Sequence, residues 1–496
     1  MRITMIGHAS IFVETEDCNI LMDPILFDPH AEGIADICPQ REVIHDRIPE
    51  FDVLVISHRH IDHFNIRSLA SLPKNVDVFI PKDRLLKECL QKLGYTQIYS
   101  LGDFEEVKIG STTLMTNRSE YRVPEFGVLF ADPTGVFWNQ VDSDVNLDTI
   151  NLVKSHFSEI DLLFAPWQPM LEGNYQGNES LSFPYTSYND KLNKISLIKP
   201  KAVVPGANGF KFINGSSWLN QIVFPVTREQ YCRDVRIVCP EVSNNVFALD
   251  PGDVLDFENG EFSYMVAKSE FVKKPKDDRD ELYFSPVNVE SSPIDDNVDN
   301  YNLDRVRKTI EEEVCTNLPQ FLTDNKNSLF IEHCRWQVIY QLEVVFSDRS
   351  CQWYFDFTEE TIKARQGKHP LANFFNTITA SSLYGLIEGT KGWDYAYLGG
   401  YYRSFKKIYM PTTHGIIKPE EEQIEEPLRL KFSYQDIFEK IRLYEVEKWS
   451  STSRARAIPH QSKTMMMKVG TTLVRLAKTN SKEDAVTAKT LYLSKT

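Results

Sequence analysis

The residues best suited to chemistry follow an apolar run at positions 53–56. Four potential metal ligands occur within six residues: His58, His60, Asp62 and His63. Three imidazoles and one carboxylate suit zinc, iron, manganese or nickel better than calcium or magnesium, which prefer oxygen-rich sites. This stretch therefore predicts a transition-metal site.

The apolar run before the ligands predicts a buried strand that would hold them rigidly. It reads Val-Leu-Val-Ile, with no polar face, as in a strand covered on both sides. In extended backbone His58 and His60 point to one side, so both can bind one ion while Asp62 and His63 bind a neighbouring ion. Histidine-rich loops also occur as surface decoration or as structural metal clips, but a loop after a strand leaves the open position that a metal enzyme needs.

The pattern around the ligands predicts two sheets with helices outside. Short strands are predicted at 2–6, 10–15 and 18–22, and a second antiparallel set runs from 105 to 139. Helices predicted at 146–157 and 184–198 each precede an apolar strand. An α/β fold of the αββα sandwich type accounts for this order.

Composition changes after this sandwich predict further segments. Residues 268–303 are charged and contain prolines, which indicates a linker after a first domain at 1–267. Residues 304–450 predict a smaller α+β domain that would serve as a lid or substrate domain, with a long helix at 370–388. Residues 451–496 carry nine Lys and Arg against two Asp and Glu and predict a solvated basic tail, with a membrane-surface or partner patch as the alternative.

Charge and composition narrow the class of protein. The 496 residues are 42% hydrophobic and carry a net charge of −15, which favours a globular protein with a small-molecule substrate over a nucleic-acid binder. We expect a cytoplasmic protein without a transmembrane segment, because no secretory signal or long apolar run is present. The eight cysteines form no Cys-x-x-Cys pair, so a disulfide framework or a Cys-rich metal site is not indicated. The sequence leaves the oligomeric state open.

The order His58-x-His60-x-Asp62-His63 is the signature of the metallo-β-lactamase fold superfamily, which this sequence resembles. Segments 6–10 and 20–24 resemble the opening of the lactonase and phospholipase-D-like branch, so the resemblance covers roughly residues 1–250. It implies an αββα sandwich with a dinuclear site between the sheets. It also implies a metal-bound water or an activated oxygen as the reagent.

The later ligands of that family are altered in this sequence. A third histidine is expected after the strand at 112–117, where Glu120 stands in register and Glu125 competes with it. A bridging aspartate is expected about twenty residues later, where Asp142 fits and Asp144 competes. The final histidine is replaced by Gly-Ala-Asn-Gly-Phe at 206–210.

The resemblance therefore implies an altered set of metal ligands, in which the residue that replaces the final histidine is undecided. His333 or His414 of the second domain could supply the missing ligand, and His8 is expected to support the site without binding metal. Asp62 and Glu120 are also the candidate catalytic carboxylates. The implied metal ligands are His58, His60 and Glu120 at one ion, Asp62 and His63 at the other, and Asp142 as the bridge.

Exchange of an imidazole for a carboxylate stabilises Fe(III) relative to zinc. The pattern is similar to the diiron oxygenase branch, which includes the chloramphenicol-pathway β-hydroxylase and CMP-N-acetylneuraminate hydroxylase. We therefore expect a non-haem diiron monooxygenase that hydroxylates a small molecule with O2. It would need an external electron donor or reductase, because the Cys/His pairs of a Rieske centre are absent. The alternatives are a dinuclear zinc or manganese hydrolase of an ester, lactone or phosphodiester, in which Asp62 orients the hydroxide, and a binding scaffold without metal.

Overall fold

The computed structural model describes residues 1–121, 123–287, 293–420, 423–450, 465–469 and 472–475. Strands are numbered β1 to β27 in chain order. They are Arg2–Gly7, Ser10–Glu14, Asn19–Met22, Ala35–Ile37, Glu42–Val43, Val53–Val55, Asp77–Pro81, Gln97–Leu101, Glu106–Ile109, Thr112–Thr116, Val128–Asp132, Gly135–Asn139, Leu162–Pro166, Ala202–Gly206, Phe210–Phe212, Val254–Glu258, Glu261–Met265, Val272–Lys273, Ile339–Val345, Ser350–Asp356, Arg365–Gln366, Phe374–Thr379, Tyr402–Lys406, Met410–Thr412, Gly415–Ile417, Met465–Val469 and Thr472–Arg475.

Helices are numbered α1 to α13 in the same way. They are Ile66–Ser71, Arg84–Lys92, Leu147–His156, Glu172–Gln176, Tyr185–Ile198, Arg228–Val238, Leu303–Glu312, Leu318–Asp324, Ile331–Arg335, Ala380–Glu388, Trp393–Leu398, Pro427–Lys431 and Tyr434–Ser450. Several begin at a side-chain cap, as α2 does at Asp83, whose carboxylate accepts from the backbone N–H groups of Leu85 and Leu86.

Two eight-stranded sheets form the first half of the molecule. Their strand orders are β17-β16-β1-β2-β3-β6-β7-β8 and β14-β13-β12-β11-β10-β9-β26-β27. In each sheet an antiparallel part adjoins a parallel part, which is β3-β6-β7-β8 in the first and β12-β13-β14 in the second. Ligands of α/β sheets bind beyond the carboxyl ends of parallel strands, and the predicted ligand segments follow β6 and β12.

Alternation of buried side chains places one core between the sheets and one outside each of them. Val53 and Val55 lie in the core between the sheets, whereas Leu54 faces the core beneath α1 and α2. A third core, which includes Trp138 and Tyr231, lies between the second sheet and the helices α3, α5 and α6. Both faces of each sheet are therefore covered, and the predicted αββα sandwich is confirmed.

The second half forms a five-stranded sheet in the order β21-β20-β19-β22-β23 with its own core. The helix predicted at 370–388 is wrong in its first part, because Phe374–Thr379 is a strand that pairs in parallel with β19. Phe374, Asn376 and Ile378 are buried at alternate positions, which is the period of a strand. The helix begins only at Ala380, where the Thr379 side chain caps it.

Parts of the predicted linker and tail pack on the first domain. Within 268–303, Val272–Lys273 pairs with Glu42–Val43, and Asp278 lies 2.7 Å from Lys211 Nζ. Within the predicted tail, Met465–Val469 pairs with β9. Residues 451–464, 470–471 and 476–496 of the tail lie outside the described residues, and the domain limits stay predictions.

The described residues bear on two expectations, which concern membrane-spanning helices and disulfide bonds. In the part of the chain that the structure describes, no helix is both long enough and apolar enough to cross a bilayer. All eight cysteines are free thiols.

Candidate metal centre

Asp23 organises the ligand loop that follows β6. Its buried carboxylate, at the end of β3, accepts hydrogen bonds from the Ser57 backbone N–H at 2.7 Å and from the Ser57 hydroxyl at 2.6 Å. It also accepts from His63 Nδ1 at 3.0 Å, and Ser57 Oγ lies 2.9 Å from His58 Nδ1. When both Nδ1 atoms are held in this way, each imidazole presents Nε2 to a metal.

One group of donors joins the loop after β6 to the loop after β12. The ligand atoms of His58, His63 and Asp142 all lie within 4.8 Å of one another. His63 Nε2 is 3.0 Å from Asp142 Oδ2, and His58 Nε2 is buried without a hydrogen-bond partner. An orphaned buried nitrogen is costly unless a ligand binds it, so this donor set fits a metal ion.

A second group of donors includes His8, which follows directly on the turn that ends β1. The ligand atoms of His8, Asp62 and His63 lie within 4.8 Å of one another, and His8 Nε2 is 3.2 Å from Asp62 Oδ2. The two groups share His63, so they are neighbours, as a dinuclear site requires. The sequence analysis expects His8 to support the site, and its position directly after β1 brings it into this second group.

His60 lies beside these groups without entering them. Its ring centroid is 4.4 Å from that of His58, with the rings nearly perpendicular. Burial lowers the pKa of His60, so the neutral imidazole that a metal needs is favoured. His60 remains a predicted ligand.

The structure separates the two glutamates that compete for the position of the third histidine. Glu120 is exposed, with Oε1 3.2 Å from Arg118 Nε and 2.9 Å from Asn146 Nδ2. Glu125 is only 8% exposed, accepts a hydrogen bond from the Ser119 hydroxyl, and leaves Oε2 buried without a partner. Of the two, Glu125 is the buried carboxylate, and neither glutamate joins the two groups of donors found among the described residues.

The two aspartates after β12 also differ. Asp142 contacts His63, whereas Asp144 Oδ1 pairs with Lys194 Nζ at 2.6 Å. Val141, just before Asp142, has φ 54°, a left-handed conformation that is strained for a β-branched residue. Strain of this kind is retained where it positions a functional group, and here it directs the backbone at Asp142.

Electrostatics within the centre distinguish the histidines. Burial lowers the pKa of His58 well below its ordinary value. Burial opposes the charge on His63 too, but the carboxylates of Asp142 and Asp62 raise the pKa of its imidazole well above the ordinary value. Burial raises the pKa of Glu125 to about 7, with repulsion from Asp142 adding to the effect.

No histidine occupies the loop after β14, where the family's final ligand is expected. Ala207 and Asn208 both have positive φ, and the Ala207 carbonyl accepts a hydrogen bond from Trp167 Nε1 at 3.2 Å. The two alternatives from the second domain lie elsewhere. His333 is buried in the second core with Nε2 2.8 Å from the Glu425 carbonyl, and His414 is exposed between β24 and β25.

The second domain borders the centre. Arg59, inside the ligand loop, lies 3.0 Å from Asp83 and donates to the Gln435 side chain of α13 at 3.2 Å. Burial raises the pKa of Asp394 in α11 to about 6, with Asp62 among the charges that raise it, and Tyr434 donates to this carboxyl group. These contacts place α11 and α13 beside the ligand loop.

Residues 2–142 match the sequence profile of the beta-lactamase superfamily domain. These residues resemble a domain of that superfamily. The matched segment runs from β1 to Asp142 and so contains both groups of donors.

Individual proteins are similar to this chain over part of its length. A UPF0173 protein of Pyrococcus abyssi is 24% identical over 126 residues, which is 25% of this chain and 52% of that protein. The diiron beta-hydroxylase CmlA of Streptomyces venezuelae is 16% identical, with coverage of 53% and 54% of the two chains and a TM-score of 0.38. An isothiocyanate hydrolase from Delia radicum gut bacteria is 15% identical, with coverage of 52% and 100% and a TM-score of 0.38. The chain thus spans about half the length of the curated relative.

Proposed function

We propose that this protein is a non-haem diiron monooxygenase that hydroxylates a small molecule with O2 and electrons from an external reductase. The observation that carries the proposal is the buried carboxylate of Glu125, with an unpartnered oxygen, in the loop after β10 where the resemblance leads us to expect a histidine. Hard anionic oxygen stabilises Fe(III) more than it stabilises zinc.

Seven side chains would hold the two ions. The donors differ in three respects from the set that the sequence predicts. Glu125 takes the role given to Glu120, His8 joins the second ion, and Asp142 is assigned to one ion instead of serving as the bridge. The proposed ligands are His58, His60, Glu125 and Asp142 at one ion, and His8, Asp62 and His63 at the other. Bound iron would supply the redox chemistry that O2 activation needs.

The protein's own contribution is to orient these donors and to exclude water. Asp23 fixes the ring of His63, and Ser57 fixes that of His58. Neither imidazole can therefore rotate away from the position where the metal would bind. The helices α11 and α13 lie at the border of the centre, where they can shield a reactive site from solvent.

A dinuclear zinc or manganese hydrolase of an ester, lactone or phosphodiester is the second candidate. The position of Asp62 favours it, because this carboxylate lies 3.2 Å from His8 Nε2 and can orient a nucleophilic water. Both candidates use the same donors, so the metal decides between them.

Metal analysis of anaerobically purified protein tests the proposal. We expect two irons per chain and an absorption band that appears with O2 and bleaches on reduction. Stoichiometric zinc together with esterase activity would overturn the oxygenase in favour of the hydrolase. Protein without bound metal after expression in iron- and zinc-supplemented medium would overturn both and favour a binding scaffold.

A pair of variants tests which glutamate belongs to the centre. Glu125→His should abolish reaction with O2 while zinc binding is retained or improved, because an imidazole replaces the hard oxygen. Glu120→His should leave iron content and O2 reactivity unchanged if its partners are only Arg118 and Asn146. The reverse result would return Glu120 to the ligand set.

A further inference from the structure

The helix α13 packs between the two halves of the molecule. Its side chains Phe438 and Val446 belong to the core beneath α1 and α2. Ile437 and Ile441 belong to the core of the second half. Because one helix contributes to both cores, a movement of either half against the other has to move α13 against a packed surface.

A polar stripe on α13 contacts the first half of the chain. The stripe is formed by Gln435, Glu439 and Arg442, whose spacing of four and three residues places them on one side of a helix. Their partners in the first half are, in the same order, Arg59 at 3.2 Å, Arg84 at 2.5 Å and Glu32 at 2.6 Å. The three contacts hold α13 in one orientation on the first half.

Of these three contacts, the one made by Gln435 reaches the metal-ligand loop. Arg59 lies between the proposed ligands His58 and His60, and its Nη1 donates to Gln435 Oε1. Its Nε lies 3.0 Å from Oδ2 of Asp83, a side chain that is 2% exposed and whose Oδ1 caps α2. The guanidinium is therefore held between the start of α2 and the polar stripe of α13.

The ligand loop is short enough to pass the position of Arg59 on to the ligands. Two residues separate Ser57, where the loop starts, from a turn that begins at His60. In that turn the His60 carbonyl accepts hydrogen bonds from the backbone N–H groups of His63 at 3.0 Å and of Phe64 at 2.8 Å. A displacement of Arg59 would therefore move the turn and the imidazoles that it carries.

We propose that Arg59 is a positioning residue, through which Gln435 of α13 holds the ligand loop in the arrangement that binds metal. With α13 in place the loop is preorganised, so ordering it on metal binding costs less free energy. Since coupling between two sites is reciprocal, metal in the centre also stabilises α13 on the first half. The inference deepens the proposed function by naming a regulation of its metal centre, and it rests on that function for the metal.

Two simpler roles of Arg59 lead to different expectations. If Arg59 served only to neutralise the buried carboxylate of Asp83, the contact with Gln435 would not matter for metal binding. If Arg59 acted only as a positive charge beside the centre, its removal would strengthen metal binding, because like charges repel. Positioning predicts that metal binding becomes weaker when either partner of the contact is removed.

Replacement of Gln435 tests the contact without changing a charge. In the full-length Gln435→Ala protein we expect zinc affinity, measured by competition with a chromogenic chelator, to fall about 3–10-fold, the effect of one exposed hydrogen bond to a charged group. The visible spectrum of the cobalt-loaded protein should also shift, because the geometry of the donors changes. Gln435→Glu keeps the acceptor and should retain at least the affinity of the unsubstituted protein.

Two arginine variants separate the ligand loop from the rest of the interface. Arg59→Met should lower zinc affinity about tenfold although it removes a positive charge. Arg84→Met is the matched control, since it removes the contact with Glu439, one turn further along the same stripe and outside the ligand loop. It should leave zinc affinity and the cobalt spectrum unchanged. Circular dichroism confirms that each variant is folded, and Gln435→Ala, at an exposed position, carries the test if Arg59→Met does not fold.

Hydrogen exchange measures the reciprocal effect of metal on α13. We expect the backbone N–H groups of α13 to exchange more slowly with zinc than without it, both in the unsubstituted protein and in Arg84→Met. In Gln435→Ala the exchange of α13 should depend less on zinc.

Unchanged zinc affinity and cobalt spectrum in Gln435→Ala, tighter zinc binding in Arg59→Met, or an equal loss in Arg84→Met would overturn the proposal. Its failure is distinguishable from failure of the proposed function, because zinc and cobalt binding are measured without turnover. An iron-loaded, O2-reactive protein in which Gln435→Ala has no effect refutes the positioning and leaves the function. The expected losses in a protein that holds only zinc refute the oxygenase and leave the positioning. A protein that binds no metal refutes both.

Discussion

Asp23 lies behind the metal ligands and connects them. Its carboxylate accepts three hydrogen bonds, from Ser57 twice and from His63 once, although it is completely buried. A buried carboxylate is tolerated only where such bonds satisfy it. At the residue scale, the orientation of the imidazoles therefore depends on a side chain that need not touch a metal.

Replacement of Asp23 should weaken metal binding without removing a ligand. In Asp23→Asn the amide cannot accept all three hydrogen bonds, so the His63 ring loses its fixed orientation, and we expect metal affinity to fall about 10–100-fold. Competition with a chromogenic chelator measures this affinity. Asp148→Asn, the same exchange at an exposed position of α3, is the matched control. Equal affinities of the two variants would contradict the role given to Asp23.

His333 predicts a pH dependence of stability that belongs to the second domain. Burial lowers the pKa of its imidazole from 6.5 to about 4. Between these values the unfolded chain binds a proton that the folded chain does not, so stability is lost as pH falls through this window. Titration of His333 should lower the free energy of unfolding by about 3 kcal/mol as the pH falls through this window.

Denaturant unfolding between pH 7 and pH 4 measures the effect of His333. His333→Gln does not titrate, and its amide can still donate to the Glu425 carbonyl. We expect the free energy of unfolding of this variant to decline less steeply with falling pH than that of the unsubstituted protein. Parallel declines would show that His333 titrates normally in the folded state.

The sequence indicated the compact part of the centre more directly than the dispersed part. His58, Asp62 and His63 are close in the chain, so their spacing after a strand was enough to predict that they meet. Glu125 and His8 depend on how loops from different strands pack, which local spacing does not report. Glu120 and Glu125 lie in a loop without a periodic pattern, so the sequence alone could not decide between them.

At the scale of elements, the loops around the centre share an uncommon backbone. His8, Asp23, Val141, Ala207 and Asn208 all have positive φ without being glycine. Such residues cost stability and persist where neighbouring contacts impose them. The loops at this edge of the sandwich are thus held by tertiary contacts. We expect substitutions that add atoms to these loops to lower the free energy of unfolding.

Gly209 tests the tightness of this packing. In Gly209→Ala the new Cβ would lie 3.0 Å from the His8 nitrogen and 3.2 Å from its Cα, so the His8 backbone must shift. We expect a loss of about 1–3 kcal/mol in the free energy of unfolding. Gly173→Ala in α4 meets no atom within 4 Å and should stabilise slightly, by about 0.5–1 kcal/mol, through helix propensity. Denaturant titration shows whether each variant raises or lowers the free energy of unfolding.

Strands and helices in which apolar residues recur at a regular spacing were predictable from the sequence. A segment in which that spacing changes from strand-like to helical was not. The strands β1 to β3 and the helices α3 and α5 lie where alternation and helical spacing placed them. Residues 370–388 change from strand to helix at Thr379 without a glycine or proline between them. Their apolar residues fit a helix when taken together, and only pairing with β19 decides otherwise.

At the scale of the whole molecule, a buried ion pair joins the two domains. Glu32 of the first domain lies 2.6 Å from Arg442 of α13, with side chains 4% and 3% exposed, and also accepts from the Gly392 N–H at 2.9 Å. Ser216 adds a hydrogen bond of 3.0 Å to Tyr401. Arg442 also lies 2.9 Å from Glu445, so the interface contains one buried cation between two carboxylates.

Removal of one charge should lower the free energy of unfolding more than removal of both charges. Arg442→Met removes the cation that Glu32 and Glu445 share, and we expect the free energy of unfolding to fall by about 3–5 kcal/mol. The double variant Glu32→Gln, Arg442→Met should recover part of it. Arg84→Met breaks an exposed pair with Glu439 across α2 and α13 and should have little effect. Unfolding followed by fluorescence and circular dichroism measures the losses, and equal effects of the two arginine variants would contradict the buried pair.

The pairing of β26 with β9 has a consequence for how the domains can move. After the second domain the chain returns to the first and adds a strand to its sheet. The second half of the chain before β26 therefore lies between segments that belong to the sandwich. Two attachment points give it fewer ways to separate from the sandwich than one attachment point would. They also keep the effective concentration of the two surfaces high, so that few interface contacts suffice to hold them together.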